Sequence, residues 1–468
     1  MTAVGGWRNS RGGRVAAAVS SGAVARVLSS LVTLASLPLA VRYLGAERFG
    51  VWATIASTVV FLNLLDLGIA STLTNHIAHS YAVGDRTYAA QYTANSLVLS
   101  IAVASITGAA LAAAWPHIDW IKLLNVSASV SRPDVSRTVA VAIALVLVGL
   151  PASLCGRVFA GYQEVHLGNL VVVAGTVANL TGLLMGIALR VSMPTLFVMA
   201  AGGTTLCNIS VLVGVLVWQK PWLRPRLSLL GWPITRRLLG AGAGFFFIQI
   251  AGAIVFSSDN VVVSHYLGAA QVTPYSVTWR LVGLSALAQG LLFSALWPAY
   301  SEAYAKGDYG WMRRVFRTTL RATLALTLVF ALLLVAAGRP LIRWWVGEAA
   351  VPSVVLLAAM ALWAVISNCM TVESCLLAAV NRTRSQGVLS LLAAALNLLL
   401  SITLVQRIGA VGVIAGTILS YLFVLVVPQS LIVRRVLGAD SFPRGAASCR
   451  QPPAISRPPL RAQEIPML

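Results

Sequence analysis

The stretch YLGA at residues 43–46, followed by YAVGD at residues 81–85, decides the fold, because the same pair of signals returns further along the chain. YLGA stands again at 266–269 and YAKGD at 304–308, so both signals recur after the same offset of 223 residues. Aligned at that offset, the two copies share 12 identities in 43 positions without a gap. Glycine tolerates the backbone angles of tight turns, and aspartate accepts their local hydrogen bonds. Each copy therefore predicts a helix hairpin with one signal at each turn.

Composition places the chain in a membrane. Hydrophobic residues make up 58% of the 468 residues, charged residues make up 10%, and the mean hydropathy is +0.84. These values lie outside the range of soluble globular proteins. Uncharged runs longer than the roughly 20 apolar residues that span a bilayer occur at 87–116, 191–219, 349–372, 385–406 and 408–433. No soluble domain of ordinary size fits between these runs.

The net charge of +21 does not indicate a nucleic-acid partner, because the basic residues are sorted by loop. The larger share of the 34 Lys and Arg residues falls on the side of the N-terminus, chiefly in the segments 220–237 and 306–321. The positive-inside rule then predicts that both termini are cytoplasmic. The same basic segments suit contact with anionic lipids.

The remaining composition points to no cofactor or metal site. The five cysteines lie in apolar segments or in the tail, so we interpret them as packing residues and not as a disulfide framework. The N-terminal segment lacks a convincing cleavage site, and we expect the first helix to be retained.

The pattern of apolar runs and breaks predicts an all-α polytopic membrane protein with about twelve transmembrane helices. We place them near 20–41, 49–74, 88–114, 138–163, 167–189, 194–218, 238–264, 271–298, 318–338, 350–380, 385–406 and 409–433. The predicted organisation is a cytoplasmic segment at 1–19, a six-helix bundle at 20–218, a basic linker at 219–237, a second six-helix bundle at 238–436 and a disordered tail at 437–468.

The two copies of the hairpin relate these bundles to each other. An even number of helices separates the copies, so both bundles enter the membrane from the same side. This is the parallel-repeat plan of secondary transporters, in which the substrate site lies between the halves near the bilayer midplane. A duplication that now serves only stability remains the alternative.

Two stretches of the first copy resemble a known family. LPLAVRYLGAERFGVW at 37–52 and FLNLLDLGIASTLTN at 61–75 are similar to the N-terminal signature of polysaccharide biosynthesis flippases, the O-antigen type of the multidrug/oligosaccharidyl-lipid/polysaccharide (MOP) exporter superfamily. The resemblance implies two bundles around a central cavity in the bacterial cytoplasmic membrane. It also implies movement of an undecaprenyl-diphosphate-linked oligosaccharide to the outer leaflet by alternating access, with membrane lipids and a glycan polymerase or other assembly proteins as further partners.

Two arginines are candidate ligands for such a substrate. Arg280 lies about ten residues into the eighth helix, with no charged residue within 20 positions on either side. An intramembrane charge needs a partner or a wet cavity, and a guanidinium matches phosphate oxygens. The alternative is a structural ion pair with Asp259, at a similar depth in the seventh helix. Related lipid II flippases place arginines of helices 1 and 8 in a cationic cavity, which by resemblance also nominates Arg26; its alternative is snorkelling to the head groups.

The intramembrane acids are candidates for gating or ion coupling. Asp66 either pairs with Arg26 as a switch or forms local hydrogen bonds where Gly68 loosens the helix. Asp259 is a candidate for the same role if it does not pair with Arg280.

Glu373 either binds a proton or Na⁺, or pairs at the interface with Arg382 and Arg384. Arg157 and Glu164, seven residues apart, are expected to pair on one helical face at the cytoplasmic surface.

Other function classes are disfavoured by the sequence. A GxxxxGK[ST] loop is absent, which disfavours an ATP-driven pump. A polymerase or glycosyltransferase acting on the same lipid would need acid-base groups on an ordered external loop, and the longest such loop, 115–137, offers only Asp119 and Asp134. A multidrug exporter of the same superfamily shares the fold and remains the other alternative.

Overall fold

The structure is a computed structural model that describes residues 11–126, 130–380 and 383–438. These ranges are almost entirely helical and contain no strand. Residues 1–10 of the predicted N-terminal segment lie outside the described residues, and so do residues 439–468 of the predicted tail.

Twelve long helices in the described ranges match the predicted number, and we label them α1–α12, leaving out the short helices of the connections. They are α1 (11–44), α2 (46–83), α3 (Arg86–Ala114), α4 (Arg132–Gly161), α5 (Val165–Ala188), α6 (Met193–Gln219), α7 (Trp232–Leu267), α8 (Ala269–Lys306), α9 (Tyr309–Trp345), α10 (Val354–Ala379), α11 (Thr383–Ile408) and α12 (Ala410–Leu437). Several helices extend beyond their predicted bounds. At about 1.5 Å per residue, α8 is nearly twice as long as a bilayer's hydrocarbon core is thick, so it continues beyond the apolar region.

The four repeated turn signals adopt the predicted conformations. Gly45 and Gly268, in the two YLGA copies, have φ of 77° and 89°. Gly84 and Gly307, in the two YAxGD copies, have φ of 77° and 71°. Positive φ is costly for residues that carry a Cβ, which explains glycine at all four positions.

The aspartates of these turns cap the helices that follow. Asp85 Oδ1 accepts a hydrogen bond from the Tyr88 amide at 2.9 Å, and Asp308 Oδ1 accepts one from the Trp311 amide at the same distance. Each aspartate satisfies an amide that has no partner within its own helix. The repeat is therefore visible in the hydrogen bonds as well as in the sequence.

Helix α2 departs from the continuous helix that the sequence predicts. Its first part passes into a 3₁₀ turn at Phe61–Asp66, and Leu67 and Gly68 then take φ of 50° and 76° before Ile69–Val83 resumes the α-helix. The sequence indicated that Gly68 loosens the helix, but it did not predict the 3₁₀ turn or the positive φ of Leu67.

The hydrophobic core is joined at one end of the molecule and split at the other. We name the end with Gly45 and Gly268 the opposite face, and the end with Gly84, Gly307 and the linker 219–237 the basic face. Near the opposite face, one cluster combines α1–α6 (the first half) with α7–α12 (the second half). Near the basic face, two clusters are separate, one belonging almost wholly to the first half and one to the second. The halves thus meet at the opposite face and part towards the basic face.

A close backbone contact seals the opposite face. A Cβ on Gly50 of α2 would lie 1.7 Å from the carbonyl oxygen of Ala269, at the start of α8. Beside this contact, Thr273 Oγ1 donates to the Ala46 carbonyl at 2.5 Å, and Asn260 Nδ2 donates to Ser57 Oγ at 2.9 Å. Only glycine at position 50 allows the two helices to approach this closely.

The basic linker packs on the first half. Asn95 of α3 donates to the Leu229 carbonyl at 2.9 Å and accepts from the Gly231 amide at 3.0 Å. Trp222 Nε1 donates to the Tyr162 hydroxyl at 3.1 Å. Leu238, the first residue of the predicted second bundle, is buried in the core cluster of the first half. The start of α7 therefore also contacts the first half.

The expected pair between Arg157 and Glu164 is wrong. The helical segment that carries Arg157 ends at Gly161, so the two side chains do not share a helical face. Glu164 instead forms an ion pair with Lys220 of the linker at 2.9 Å. A partner 56 positions away could not be found from local spacing.

The Gly50 contact gives a test of the closed opposite face. Gly50→Ala places a methyl group against the Ala269 carbonyl, and overpacking of this kind costs on the order of 1–3 kcal/mol. In a Thr273→Cys background, we expect Gly50→Ala to raise the labelling rate at position 273 by a polar maleimide roughly tenfold. Gly240→Ala is the control, because a Cβ there meets no atom within 4 Å. Equal labelling with and without the alanine at position 50 would contradict the seal.

Candidate functional site

The candidate site lies where the halves part, along α1 and α8. Arg280 of α8 is half-buried, and within the described part of the chain it forms no hydrogen bond or ion pair. A charge this far from either end of an apolar helix is costly unless water or a ligand reaches it. The charge of Arg280 is thus not compensated by any described protein atom.

The ion pair between Arg280 and Asp259 that the sequence left open is not formed. Asp259 is 4% exposed, and its Oδ2 accepts a hydrogen bond from the Tyr275 hydroxyl at 2.5 Å. Its other oxygen, Oδ1, is buried and has no hydrogen-bond partner among the described residues. The two groups therefore have separate environments: Arg280 is half-buried on α8, and Asp259 is enclosed by protein.

Sequence reasoning missed Tyr275 and the aromatic side chains around it. The ring of Tyr275 stacks on Trp279 with centroids 6.5 Å apart, Trp279 stacks on Trp363 at 6.3 Å, and Trp363 meets Tyr421 edge-on at 4.7 Å. Tyr275 lies 16 positions after Asp259, across the Gly268 turn.

Arg26 borders a cavity between the two halves. The cavity has a volume of about 460 Å³, and its lining combines α1, α5 and α8 in Gly22, Ala25, Arg26, Ser29, Ser30, Val165, Asn169, Val172 and Leu287. The Arg26 side chain is exposed and reaches across to α8, where Nη1 lies 2.9 Å from the place that a Cβ of Gly290 would occupy. Gly290 is ten residues beyond Arg280, or about 15 Å along the helix. Both arginines therefore lie along α8, at different depths.

Asp66 makes local contacts. Its carboxylate accepts from the Ala70 amide at 3.2 Å, caps the resumed helix after Gly68, and accepts a hydrogen bond from Gln249. The charge of Arg157 also acts on it. Arg26 is not among its contacts, so the structure shows the local hydrogen bonding and not the Arg26 pair.

Glu373 lies in the second half, between α10 and α12. Its Oε1 accepts from Ser430 Oγ at 2.8 Å, and its buried Oε2 has no hydrogen-bond partner among the described residues. Arg434 of α12 acts on it electrostatically. Of the two expected arginine partners, Arg382 and the side chain of Arg384 lie outside the described residues.

No metal cluster is formed by the described residues, since no three His, Cys, Asp or Glu side chains come together in them. The candidate site is thus a partly open, cationic space between two helical bundles. Such a space attracts anions and can bind them through charge-assisted hydrogen bonds.

Comparison with known proteins identifies the family. The family model described as polysaccharide biosynthesis protein matches residues 15–304, which is more than half of the chain, and the MatE model matches residues 245–403. The chain is 22% identical over 292 residues to the "Putative O-antigen transporter" of Salmonella typhi, a match that covers 62% of this chain and 66% of that protein.

Solved structures share the fold. A multidrug resistance MATE family transporter of the MOP superfamily, in its inward-facing conformation, gives a TM-score of 0.75 at 14% identity over 88% of this chain and 96% of that one. The outward-facing conformation of such a transporter gives 0.59 at 14% identity over 94% of this chain and 100% of that one. The twelve-helix, two-repeat architecture predicted from the sequence is confirmed.

The bond between Tyr275 and Asp259 gives a prediction for stability. Tyr275→Phe removes the donor and leaves a buried carboxyl group without a partner, which costs about 1–3 kcal/mol. We expect a lower midpoint of thermal unfolding for the detergent-solubilised protein. Tyr266→Phe, at an exposed position of the same hairpin, is the matched control. Identical melting of the two variants would show that the bond does not stabilise the protein.

Proposed function

The chain belongs to the polysaccharide biosynthesis protein family and is a transporter of the MOP superfamily, and we propose that its substrate is an undecaprenyl-diphosphate-linked oligosaccharide. In this proposal the protein moves the lipid-linked sugar from the cytoplasmic to the outer leaflet by alternating access, for assembly of cell-surface polysaccharide. The described conformation, sealed at the opposite face and parted at the basic face, is the one that loads substrate.

The observation that carries the proposal is the environment of Arg280. The guanidinium is half-buried within an apolar stretch of α8, the helix that Arg26 reaches from α1, and has no hydrogen-bond or ion-pair partner in the described part of the chain. A diphosphate supplies several anionic oxygens, and an arginine stays charged when it is desolvated. Arg280 therefore suits the diphosphate of a substrate at mid-depth in the membrane.

Arg26 is the second proposed ligand. It lines the cavity near the basic face and contacts α8 across the gap between the halves. Serine, asparagine and aliphatic side chains complete the lining, a mixture that suits a phosphate group at the head of a hydrocarbon chain. We propose that Arg26 meets the diphosphate first and that Arg280 holds it deeper in the protein.

The buried acids are proposed to couple transport to a proton or cation. Asp259 is enclosed, bonded on one oxygen only, and lies on α7, which contacts both halves. Glu373 is similar in having one bonded and one unbonded oxygen. Asp66 is proposed to act as a gate, because it caps the break in α2 and contacts α7 through Gln249.

Two other functions are less well supported. A multidrug exporter is favoured by the MatE match and by the fold of the similar structures, but an uncompensated arginine disfavours cationic drugs. A glycosyltransferase or polymerase would use acids of the loop 115–137. Asp119 there caps a short helix by accepting from the Ile121 and Lys122 amides, which supports a structural role. We propose that such enzymes act as separate partners of the transporter.

Substitution of Arg280 tests the proposed function. Arg280→Ala should insert normally, because it removes a charge from the bilayer. It should weaken transfer of the lipid-linked oligosaccharide between leaflets of proteoliposomes about tenfold or more, since charge-assisted hydrogen bonds contribute about 1.5–3 kcal/mol each. Arg280→Lys should recover part of the loss, and Arg407→Ala, at an exposed end of α11, should have no effect.

The double variant Arg280→Ala with Asp259→Ala separates the two roles first considered for Arg280. If Arg280 served only to balance Asp259, removing both would restore transport. We expect the double variant to stay inactive. Full transfer by it would reject Arg280 as the diphosphate ligand.

The proposed orientation is tested at the tail. The described chain begins at residue 11 and ends at residue 438 on the side of the basic face, and the positive-inside rule assigns this face to the cytoplasm. Cys449 should therefore resist an impermeant thiol reagent in intact cells and react after lysis. Reaction before lysis would reverse the orientation and the proposed direction of transport.

A further inference from the structure

The outer surface of α9 carries three exposed arginines on one line. Arg314, Arg317 and Arg321, here named the arginine stripe, are spaced three and four residues apart, which places them on one side of the helix. The buried residues of α9, such as Met312, Phe316 and Thr323, lie on another side and pack into the protein. The stripe therefore faces away from the core of the second half.

None of the three guanidinium groups forms an ion pair or hydrogen bond with the described residues. The two acids that precede the stripe are already engaged, because Glu302 pairs with Lys306 and Asp308 caps the start of α9. The three positive charges are thus concentrated on one surface without neutralisation by these acids.

The stripe lies at the level of the lipid head groups. Between Arg321 and Arg339 the helix has 17 uncharged residues, or about 25 Å of helix, close to the thickness of the hydrocarbon core. Along the same side, the stripe continues into the exposed residues Leu324, Leu328 and Leu332. A charged surface followed by an apolar one matches a phospholipid, with its head group at the arginines and an acyl chain along the leucines.

The repeat provides an internal comparison. At the offset of 223 residues, the stripe corresponds to Gln91, Ala94 and Val98 of α3, which are uncharged. Helix α3 enters the bilayer from the same face, so orientation alone does not demand three arginines there. On α3, the linker covers this region through Asn95.

The same offset relates the linker 219–237 to residues 442–460 of the tail, which lie outside the described residues. The tail is therefore the other conceivable cover for the stripe. Its charged residues from 439 onward are Arg444, Arg450, Arg457 and Arg461 against Asp440 and Glu464. A basic segment is repelled by a basic surface, so charge favours an anionic lipid as the occupant.

We propose that the arginine stripe binds the phosphate head group of an anionic phospholipid in the leaflet at the basic face, with an acyl chain along Leu324, Leu328 and Leu332. The site lies outside the space between the halves and does not depend on the transported substrate. The positive charges of the stripe are complementary to an anionic lipid that stays bound at the surface of the protein.

Native mass spectrometry of the full chain tests the proposal, with phosphatidylglycerol as the anionic probe and phosphatidylcholine as the zwitterionic one. Arg314→Gln with Arg317→Gln and Arg321→Gln should weaken phosphatidylglycerol binding about tenfold or more and leave phosphatidylcholine binding unchanged. The matched control is Arg226→Gln with Arg236→Gln and Arg237→Gln, which removes the same charge from exposed positions at the same face. It should reduce phosphatidylglycerol binding much less than the stripe variant does, because the linker arginines are not followed by a line of exposed leucines. Lysine at the three stripe positions should retain most of the binding, which guards against a loss caused by misfolding.

Three results would overturn the proposal. The first is equal phosphatidylglycerol binding by the unmodified protein and the stripe variant. The second is an equal loss of binding in the stripe variant and the control variant. The third is occupation of the stripe by the tail. The last is tested in the full chain by Thr318→Cys beside the stripe: cross-linking of position 318 to Cys449 by a short bifunctional reagent, without lipid, would show that the tail covers this surface.

Discussion

The contact between Gly50 and Ala269 is the constraint on which the described conformation depends. It brings the backbones of α2 and α8 together where each repeat makes its first turn, and it unites the apolar clusters of both halves into one core. Near the basic face, where the core divides into two clusters, the described glycines make no backbone contact of this closeness between the halves. A transporter that alternates between two openings must break this contact. The contact is close because glycine at position 50 has no Cβ, and any other residue there would push the two helices apart.

The charged side chains within the membrane have three kinds of environment. Asp66 is engaged in backbone and side-chain hydrogen bonds at the break of α2. Asp259 and Glu373 are enclosed and only half satisfied. Arg280 is half-buried on α8 without a described partner. An unpaired charge within the membrane requires water or a ligand, and the proposed roles of a gate, of proton or cation coupling and of anion binding follow from these three environments.

The sequence predicted the architecture because its signals are local and repeated. Gly45, Gly84, Gly268 and Gly307 mark turns by their backbone angles, and uncharged runs mark the spans. Contacts between distant segments carry no such signal. Neither the pairing of Glu164 with Lys220 nor the bond from Tyr275 to Asp259 follows from periodicity. Gly68 marked a place where the helix loosens, but periodicity did not predict the full break into a 3₁₀ turn. Arg280 was found because a lone charge in an apolar run is itself a local signal, and Arg26 was nominated by the resemblance to lipid II flippases. The surroundings of both arginines were not predictable.

The central claim is that the gap between the halves accepts a diphosphate-linked lipid. The most direct measurement is leaflet transfer by the purified, unmodified protein in proteoliposomes, with an undecaprenyl-diphosphate-linked oligosaccharide compared with a cationic dye. The account predicts protein-dependent transfer of the lipid-linked oligosaccharide and none of the dye. Transfer of the dye without the lipid-linked oligosaccharide would contradict the account and identify a drug exporter.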